Sequence, residues 1–180
     1  MESFLSINNN IIKKIKNIKF FACDVDGVLT HGEMIILENN EEIKIWNVKD
    51  GLGYYELLKT VPRIKTAWIT AGKSNQVKIR ANSIGIDYVF QDCMNKLEAI
   101  NEIIKKEKLS LSEIVYIGDD IIDICVLSVV GFSVCPLDAS EDVKCIVDYI
   151  SKFNGGCGVV REIIEIIMKT NGLWGKNIYK

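Results

Sequence analysis

The sequence predicts an α/β protein: one parallel β-sheet with helices on both of its faces. Three observations predict it. Short apolar runs of strand length alternate with helix-length amphipathic segments, a pattern that gives parallel strands joined by crossover helices. The residues directly after those runs are acidic or hydroxylic, as expected at the carboxyl edge of an open α/β sheet. The 180 residues include 48% hydrophobic and 26% charged side chains with only two prolines, which suits one packed core rather than a disordered chain.

The elements follow in order. Among the first 17 residues Ile11, Ile12 and Ile15 stand at helical spacing, and an apolar run over 19–23 stops at Asp24, as a buried strand does. Two β-rich segments, 34–37 and 43–46, flank the polar stretch Glu38-Asn39-Asn40-Glu41-Glu42, and this hairpin is the one antiparallel feature expected. The alternation continues with helix 53–60, strand 64–69, helix 74–84, strand 88–90, helix 95–107 and strand 114–117. It ends with a helix over 121–129, strands near 132–134 and 147–149, and a helix over 159–169. No internal repeat or linker interrupts the pattern, so residues 1–180 are expected to form a single domain, with 172–180 as a mobile tail.

Residue counts exclude several classes of function. Lys and Arg (22) nearly balance Asp and Glu (24), and a net charge of −2 offers no electrostatic footprint for nucleic acid or an anionic membrane. Small-molecule partners are favoured. No apolar run reaches the roughly 18–20 residues that a membrane helix needs. Cys23, Cys93, Cys125, Cys135, Cys145 and Cys157 form no C-x-x-C pair and no secretory signal opens the chain, so a reduced cytoplasm is the expected setting. His31 is the single histidine, which removes zinc sites built on several histidines and paired-histidine acid–base schemes.

Three strand ends carry the chemistry. Run 19–23 leads into Asp24-Val25-Asp26-Gly27, run 64–69 into Thr70, and run 114–117 into Gly118-Asp119-Asp120, with Asp123 one helical turn on. Any one of these could simply cap the next helix. Together they bring several carboxylates and a hydroxyl to one edge of the sheet. Clustered carboxylates repel unless a cation neutralises them, and an oxygen-only set suits Mg2+ far better than zinc. Lys96 opens the helix before the Asp119 strand, where its ammonium can balance a phosphate together with the metal. On its own it would read equally well as a solvated helix-start lysine.

Taken in order, Asp24-Val25-Asp26-Gly27-Val28-Leu29-Thr30, Thr70, Lys96 and Gly118-Asp119-Asp120 with Asp123 resemble the four motifs of the haloacid dehalogenase (HAD) superfamily phosphatases. The stretch from about Lys19 to Glu162 is similar to the 3-deoxy-D-manno-octulosonate 8-phosphate (KDO 8-phosphate) phosphatase group. Lys49-Asp50-Gly51-Leu52-Gly53 and Gly155-Gly156-Cys157-Gly158-Val159-Val160-Arg161-Glu162 echo that group's signatures. It is also similar to relatives acting on nine-carbon keto-acid sugar 9-phosphates and to domains fused to some acylneuraminate cytidylyltransferases. The resemblance implies a three-layer HAD-like (Rossmannoid) fold with a small β-hairpin in place of a cap domain. It further implies a Mg2+-dependent phosphomonoesterase acting on a keto-acid sugar phosphate in lipopolysaccharide biosynthesis.

By the same resemblance Asp24 is the nucleophile that forms an aspartyl-phosphate, and Asp26 is the acid and base. Mg2+ is held by an oxygen of Asp24, the backbone carbonyl of Asp26 and the Asp119 carboxylate. Thr70 and Lys96 bind the phosphoryl oxygens, and Asp120 and Asp123 orient the metal shell and Lys96. The chemistry supports these roles independently: a carboxylate nucleophile splits one hard hydrolysis into two easier displacements, and an acid two residues away can serve both halves. Four positions depart from the family pattern. His31 replaces an Asp, Lys49 stands where Arg is usual, Ile69-Thr70-Ala71-Gly72 replaces I-T-G-R, and Gly155-Gly156-Cys157-Gly158 replaces G-G-R-G. Up to three Arg forks, which bind sugar carboxylates bidentately, are thereby lost. Lys49, Lys73 and Arg161 remain as expected anion contacts.

Between Asp26 and Thr70 the hairpin leaves no room for a cap domain, so the site is expected to be open. Met34, Ile35, Ile36, Ile43, Ile45 and Trp46 give the hairpin more apolar surface than a solvated hairpin should show, and a neighbouring subunit is the expected lid. The bland alternative is that the hairpin packs on its own sheet. The family resemblance implies a homotetramer with hairpins meeting at its centre, in which tails can reach an adjacent site. A phosphoacceptor signalling domain also gathers Asp, Thr and Lys at strand ends, but it puts paired acids first and Lys last, unlike this chain. A non-catalytic oligomeric scaffold need not keep Asp24, Asp26, Thr70, Lys96 and Asp119 together. A cysteine hydrolase pairing His31 with Cys23 or Cys157 lacks any recognisable motif.

Overall fold

The structure, a computed structural model, describes residues 9–60 and 62–175. Helix α1 (Asn9–Lys16) leads into β1 (Phe20–Cys23), and a hairpin of β2 (Ile35–Ile36) and β3 (Glu42–Ile43) follows. Then come α2 (Val48–Leu57), β4 (Lys65–Ile69), α3 (Asn75–Ile84), β5 (Tyr88–Phe90), α4 (Lys96–Glu107) and β6 (Ile114–Ile117). The chain continues through α5 (Ile124–Leu127), β7 (Phe132–Cys135), α6 (Glu141–Lys144), β8 (Tyr149–Ile150) and α7 (Val159–Thr170). The strands other than the hairpin form one sheet in the order β5-β4-β1-β6-β7-β8, every pair parallel. The fold is the α/β arrangement that the alternating pattern predicts.

Strand β1 is central because both of its faces are apolar. Phe21 and Cys23 point into a core shared with Tyr54, Trp68, Ile163 and Ile167, whereas Phe20 and Ala22 point into one shared with Ile69, Ile100, Tyr116 and Leu127. Helices α1, α2, α3 and α7 supply the first layer, and α4, α5 and α6 the second. Register then places the chemistry. Cys23 lies level with Trp68 of β4 and with Ile117 of β6, so the residues just beyond, Asp24, Thr70 and Gly118-Asp119, emerge side by side at the carboxyl edge. The chain builds outward from β1 through β4 to β5, then crosses to β6, so the strand order reverses between β1 and β6. Ligands of open α/β sheets bind at such a point.

Several boundaries differ from the sequence expectation. The helix expected over 53–60 begins at Val48, where the Asn47 side chain caps the Lys49 amide at 2.9 Å. Gly51 and Gly53 disguised its first turns, and they are accommodated because Arg80 lies against the first while Arg161 and Ile164 of α7 lie against the second. The helix expected over 121–129 is instead a 3-10 turn at Ile121–Asp123 followed by the single-turn α5, because the Asp123 carboxylate folds back to accept from the Asp119 and Asp120 amides. The last strand runs Tyr149–Ile150, two residues later than expected at its start, and α6 is too short to have left a periodic signal. Of the expected tail, Leu173 and Trp174 pack on the core, held there by apolar contact and by Arg161 over the Trp174 ring at 4.6 Å. The rest of it, 176–180, and the start of the N-terminal lead, 1–8, lie outside the described residues.

Two glycines fix the loop after β1. Gly27 sits at φ +86°, a region that disfavours side chains, and any Cβ there would collide with the Asp119 carboxylate. Gly155, from the turn before α7, sits so close that a Cβ would overlap the Gly27 carbonyl oxygen. Gly155→Ala is therefore expected to lower stability by about 1–3 kcal/mol and to reduce turnover, since the atom it strikes is backbone of the Asp26-Gly27 loop. Urea unfolding and steady-state kinetics check this, and an unchanged midpoint with full activity would refute it.

Candidate active site

The floor of the site is one buried ammonium among carboxylates. Lys96, at the start of α4, has no exposed surface, and its Nζ lies 2.9 Å from Asp24 Oδ2 and 2.7 Å from Asp123 Oδ1. Burial works against the ammonium, but the attraction of Asp24 and Asp123 outweighs it and raises the Lys96 pKa. Asp123 is saturated: Oδ1 also accepts from the Tyr116 hydroxyl at 2.6 Å, and Oδ2 accepts from the Asp119 and Asp120 amides at 3.1 and 3.3 Å. The side chain of Asp123 therefore organises the loop after β6.

Asp24 and Asp119 are the less committed acids. Asp24 follows β1, its amide bonded to the Ile117 carbonyl at 2.9 Å and its Oδ1 accepting from the Val25 amide at 2.6 Å. Burial, with the Asp123 charge added, pushes its pKa well above the usual carboxylate range against the pull of Lys96. Asp119 is pushed up to about 7, chiefly by burial and then by Asp123. Oxygens of Asp24, Asp119 and Asp123 lie within 4.8 Å of one another. Three clustered acids with one ammonium leave excess negative charge in a poorly hydrated place. This oxygen-only donor set fits a hard divalent cation.

Asp26 faces the same cavity from the other side. Its Oδ1 accepts from Lys44 Nζ at 2.5 Å and Thr30 Oγ1 at 3.4 Å, and its Oδ2 from Thr70 Oγ1 at 3.4 Å. Thr70 is fixed in turn by its amide to the Phe90 carbonyl at 2.9 Å and by the Gly72 amide donating to its Oγ1 at 3.0 Å. The cavity, about 620 Å³, is lined among others by Asp24, Asp26, His31, Glu42, Thr70, Asp119, Asp120 and Asp138. Among the described residues no lysine or arginine lines it.

The structure thus brings together Asp24, Asp26, Thr70, Lys96, Asp119, Asp120 and Asp123. It places the three expected anion contacts elsewhere on this chain. Lys49 and Arg161 line a separate cavity of about 590 Å³ with Lys152, Phe153 and Cys157, where Arg161 Nε donates to Glu165 at 2.6 Å. Lys73 lines a shallow depression with Glu41, Glu42 and Gln76. These three residues follow strand ends or open helices, and on this chain they line cavities other than that of the aspartates. Sequence reasoning missed Lys44 and Asp138. Lys44 carried a signal, since Glu42, Lys44 and Trp46 alternate with outward Ile43 and Ile45 in the hairpin. Asp138 lies shortly after β7 at the same sheet edge, where its Oδ1 accepts from the Gly155 amide at 2.9 Å.

A parallel sheet with this acid-and-lysine floor defines a class, and the chain belongs to the haloacid dehalogenase-like hydrolases, whose family model matches residues 66–163. Within that family it is a phosphoric monoester hydrolase. It is 35% identical over 166 residues to the 3-deoxy-D-manno-octulosonate 8-phosphate phosphatase KdsC of Escherichia coli K12, covering 92% of this chain and 87% of that protein. Among solved structures, the same-named phosphatase of Moraxella catarrhalis, in complex with magnesium, phosphate and KDO, superposes with a TM-score of 0.86. Identity there is 38%, and the match covers 90% of this chain and 92% of that one. The cobalt-bound deoxy-D-mannose-octulosonate 8-phosphate phosphatase of Haemophilus influenzae gives a TM-score of 0.83 at 34% identity, covering 88% and 92%.

A carboxyl pKa raised by folding means that the folded chain still holds a proton which the unfolded chain has released. The metal-free protein should therefore lose stability as pH rises from about 4 to about 7. Divalent-ion binding needs the deprotonated acids, so its stabilising effect should grow over the same range. Thermal melts at pH 5 and pH 8, with EDTA or with Mg2+, measure both. A slope unaltered in Asp119→Asn would remove Asp119 as its source.

Proposed function

We propose that this hydrolase is a Mg2+-dependent phosphatase of keto-acid sugar phosphates, KDO 8-phosphate or a nine-carbon acid 9-phosphate, working through an aspartyl-phosphate on Asp24. The observation that carries the mechanism is the placement of Asp24 at the cavity floor between the Lys96 ammonium and Asp119, with Asp26 facing the same space. The relatives named for KDO 8-phosphate, and the one solved with KDO, support the substrate class.

Asp24 attacks phosphorus, and the P–O bond to the sugar breaks as the P–O bond to Asp24 forms. Asp26 protonates the departing sugar oxygen, then takes a proton from the water that releases phosphate from Asp24. The Thr70 hydroxyl and the Lys96 ammonium bind phosphoryl oxygens, while Asp123 holds Lys96 in place. Asp24, Asp119 and the Asp26 carbonyl would hold Mg2+, which when bound offsets the repulsion between two anions.

Among the described residues of one protomer, a substrate carboxylate finds no cation on the cavity lining. This fits a homotetramer whose neighbouring subunit completes and caps the site. Met34, Ile36 and Ile45 on the hairpin, with Val48 and Tyr55 of α2, are exposed apolar side chains suited to that contact. Light scattering should give a tetramer at micromolar concentration, and a monomer with full activity would refute the shared site.

Asp24→Asn should keep the fold and lower kcat on the order of 10³-fold or more. EDTA should abolish turnover and Mg2+ restore it. Comparing kcat/KM for eight- and nine-carbon keto-acid phosphates with hexose phosphates tests the substrate class. A preference for plain hexose phosphates would overturn the keto-acid reading and leave a phosphatase of another small sugar.

A further inference from the structure

The hairpin does more than present an apolar surface. Its second arm alternates: Ile43 and Ile45 face outward, whereas the Lys44 side chain is only 5% exposed and Trp46 stacks on Trp68 of β4 at 5.6 Å. Lys44 Nζ sits 2.5 Å from Asp26 Oδ1 and 2.8 Å from Glu42 Oε1. The other contacts of the Asp26 carboxylate are two long ones, at 3.4 Å, from the Thr30 and Thr70 hydroxyls. Among the described residues, the one short, charge-assisted bond that fixes this side chain therefore comes from the hairpin and not from the parallel sheet.

We propose that Lys44 is a positioning residue that aims Asp26 for proton transfer, a role resting on the reading of Asp26 as the acid and base. With Oδ1 held by the ammonium, Oδ2 is the oxygen left to carry the proton. It lies beside Thr70 and close to Gly72 at the cavity wall. Proton transfer needs its donor within about 0.5 Å of the productive position, a tolerance that a freely rotating carboxylate does not meet. Glu42 holds the ammonium from the other side, so the hairpin as a unit sets the angle of Asp26.

The test uses leaving groups. A sugar alkoxide must be protonated to leave, whereas p-nitrophenolate departs without a proton, so only the first depends on Asp26 as an acid. Kinetics of the full-length protein with Mg2+ are compared for KDO 8-phosphate and p-nitrophenyl phosphate, in wild type, Lys44→Met, Lys44→Arg and Asp26→Asn. For Lys44→Met, kcat on the sugar phosphate should fall on the order of a hundredfold with KM little changed, and on the aryl phosphate by less than about fivefold. Lys44→Arg, which keeps the charge, should recover part of the loss. If Lys44→Met loses its cooperative melt, Lys44→Arg carries the same comparison with a smaller expected split. Equal losses on both substrates, or none, beside a selective Asp26→Asn would overturn the role of Lys44 and leave that of Asp26 intact. An unselective Asp26→Asn would instead remove the acid reading, and the Lys44 proposal with it.

Discussion

One buried ammonium holds this site together. Lys96 can lie fully out of water only because Asp24 and Asp123 meet it at hydrogen-bond distance, and Asp123 can lie there only because Tyr116 and two loop amides satisfy its remaining lone pairs. Removing one partner of a buried pair costs about 3–5 kcal/mol, so the network forms as a whole or not at all. Its geometry dictates the surroundings. α4 must start behind the β1–β6 pair, and Gly118 must lack a side chain because a Cβ would overlap Asp123. The loop after β6 must turn at once, which is why the regular helix expected there is broken into a 3-10 turn.

The same electrostatics gives the cavity above the floor an acidic lining. Asp24, Asp26, Glu33, Glu42, Asp119, Asp120 and Asp138 all line the cavity, and the cations nearest to them, Lys96 and Lys44, are both engaged by carboxylates. An anion entering this space meets repulsion from these carboxylates, which a divalent ion held by Asp24 and Asp119 would relieve at the floor. Among the described residues the upper part of the cavity has no cation on its lining, and the exposed apolar hairpin lies beside it.

Much of this was legible because β-strands buried on both faces read as continuous apolar runs, and each run stops where the chemistry begins. The sequence pattern places Asp24, Thr70 and Asp119 on one edge and associates Lys96 with them. Lys44 is less legible because the apolar residues dominate the hairpin's pattern, and a lysine between them carries no sign of its partner across the chain. Lys49, Lys73 and Arg161 line other cavities of this chain for the opposite reason. Sequence order brought them near the site, but side-chain direction follows from loop conformation and helix packing, and Arg161 is drawn to Glu165 and Trp174 instead.

The departures from the family pattern divide along the same line. Every position on the floor is kept, and the altered positions lie on the rim or beyond it. His31 and Cys157, which replace Asp and Arg, touch each other, with Nε2 and Sγ 3.4 Å apart, and Gly156 leaves no space between their loops. Ala71 and Gly72, which stand where the family pattern has Gly and Arg, line the aspartate cavity directly, and no lysine or arginine lines it among the described residues.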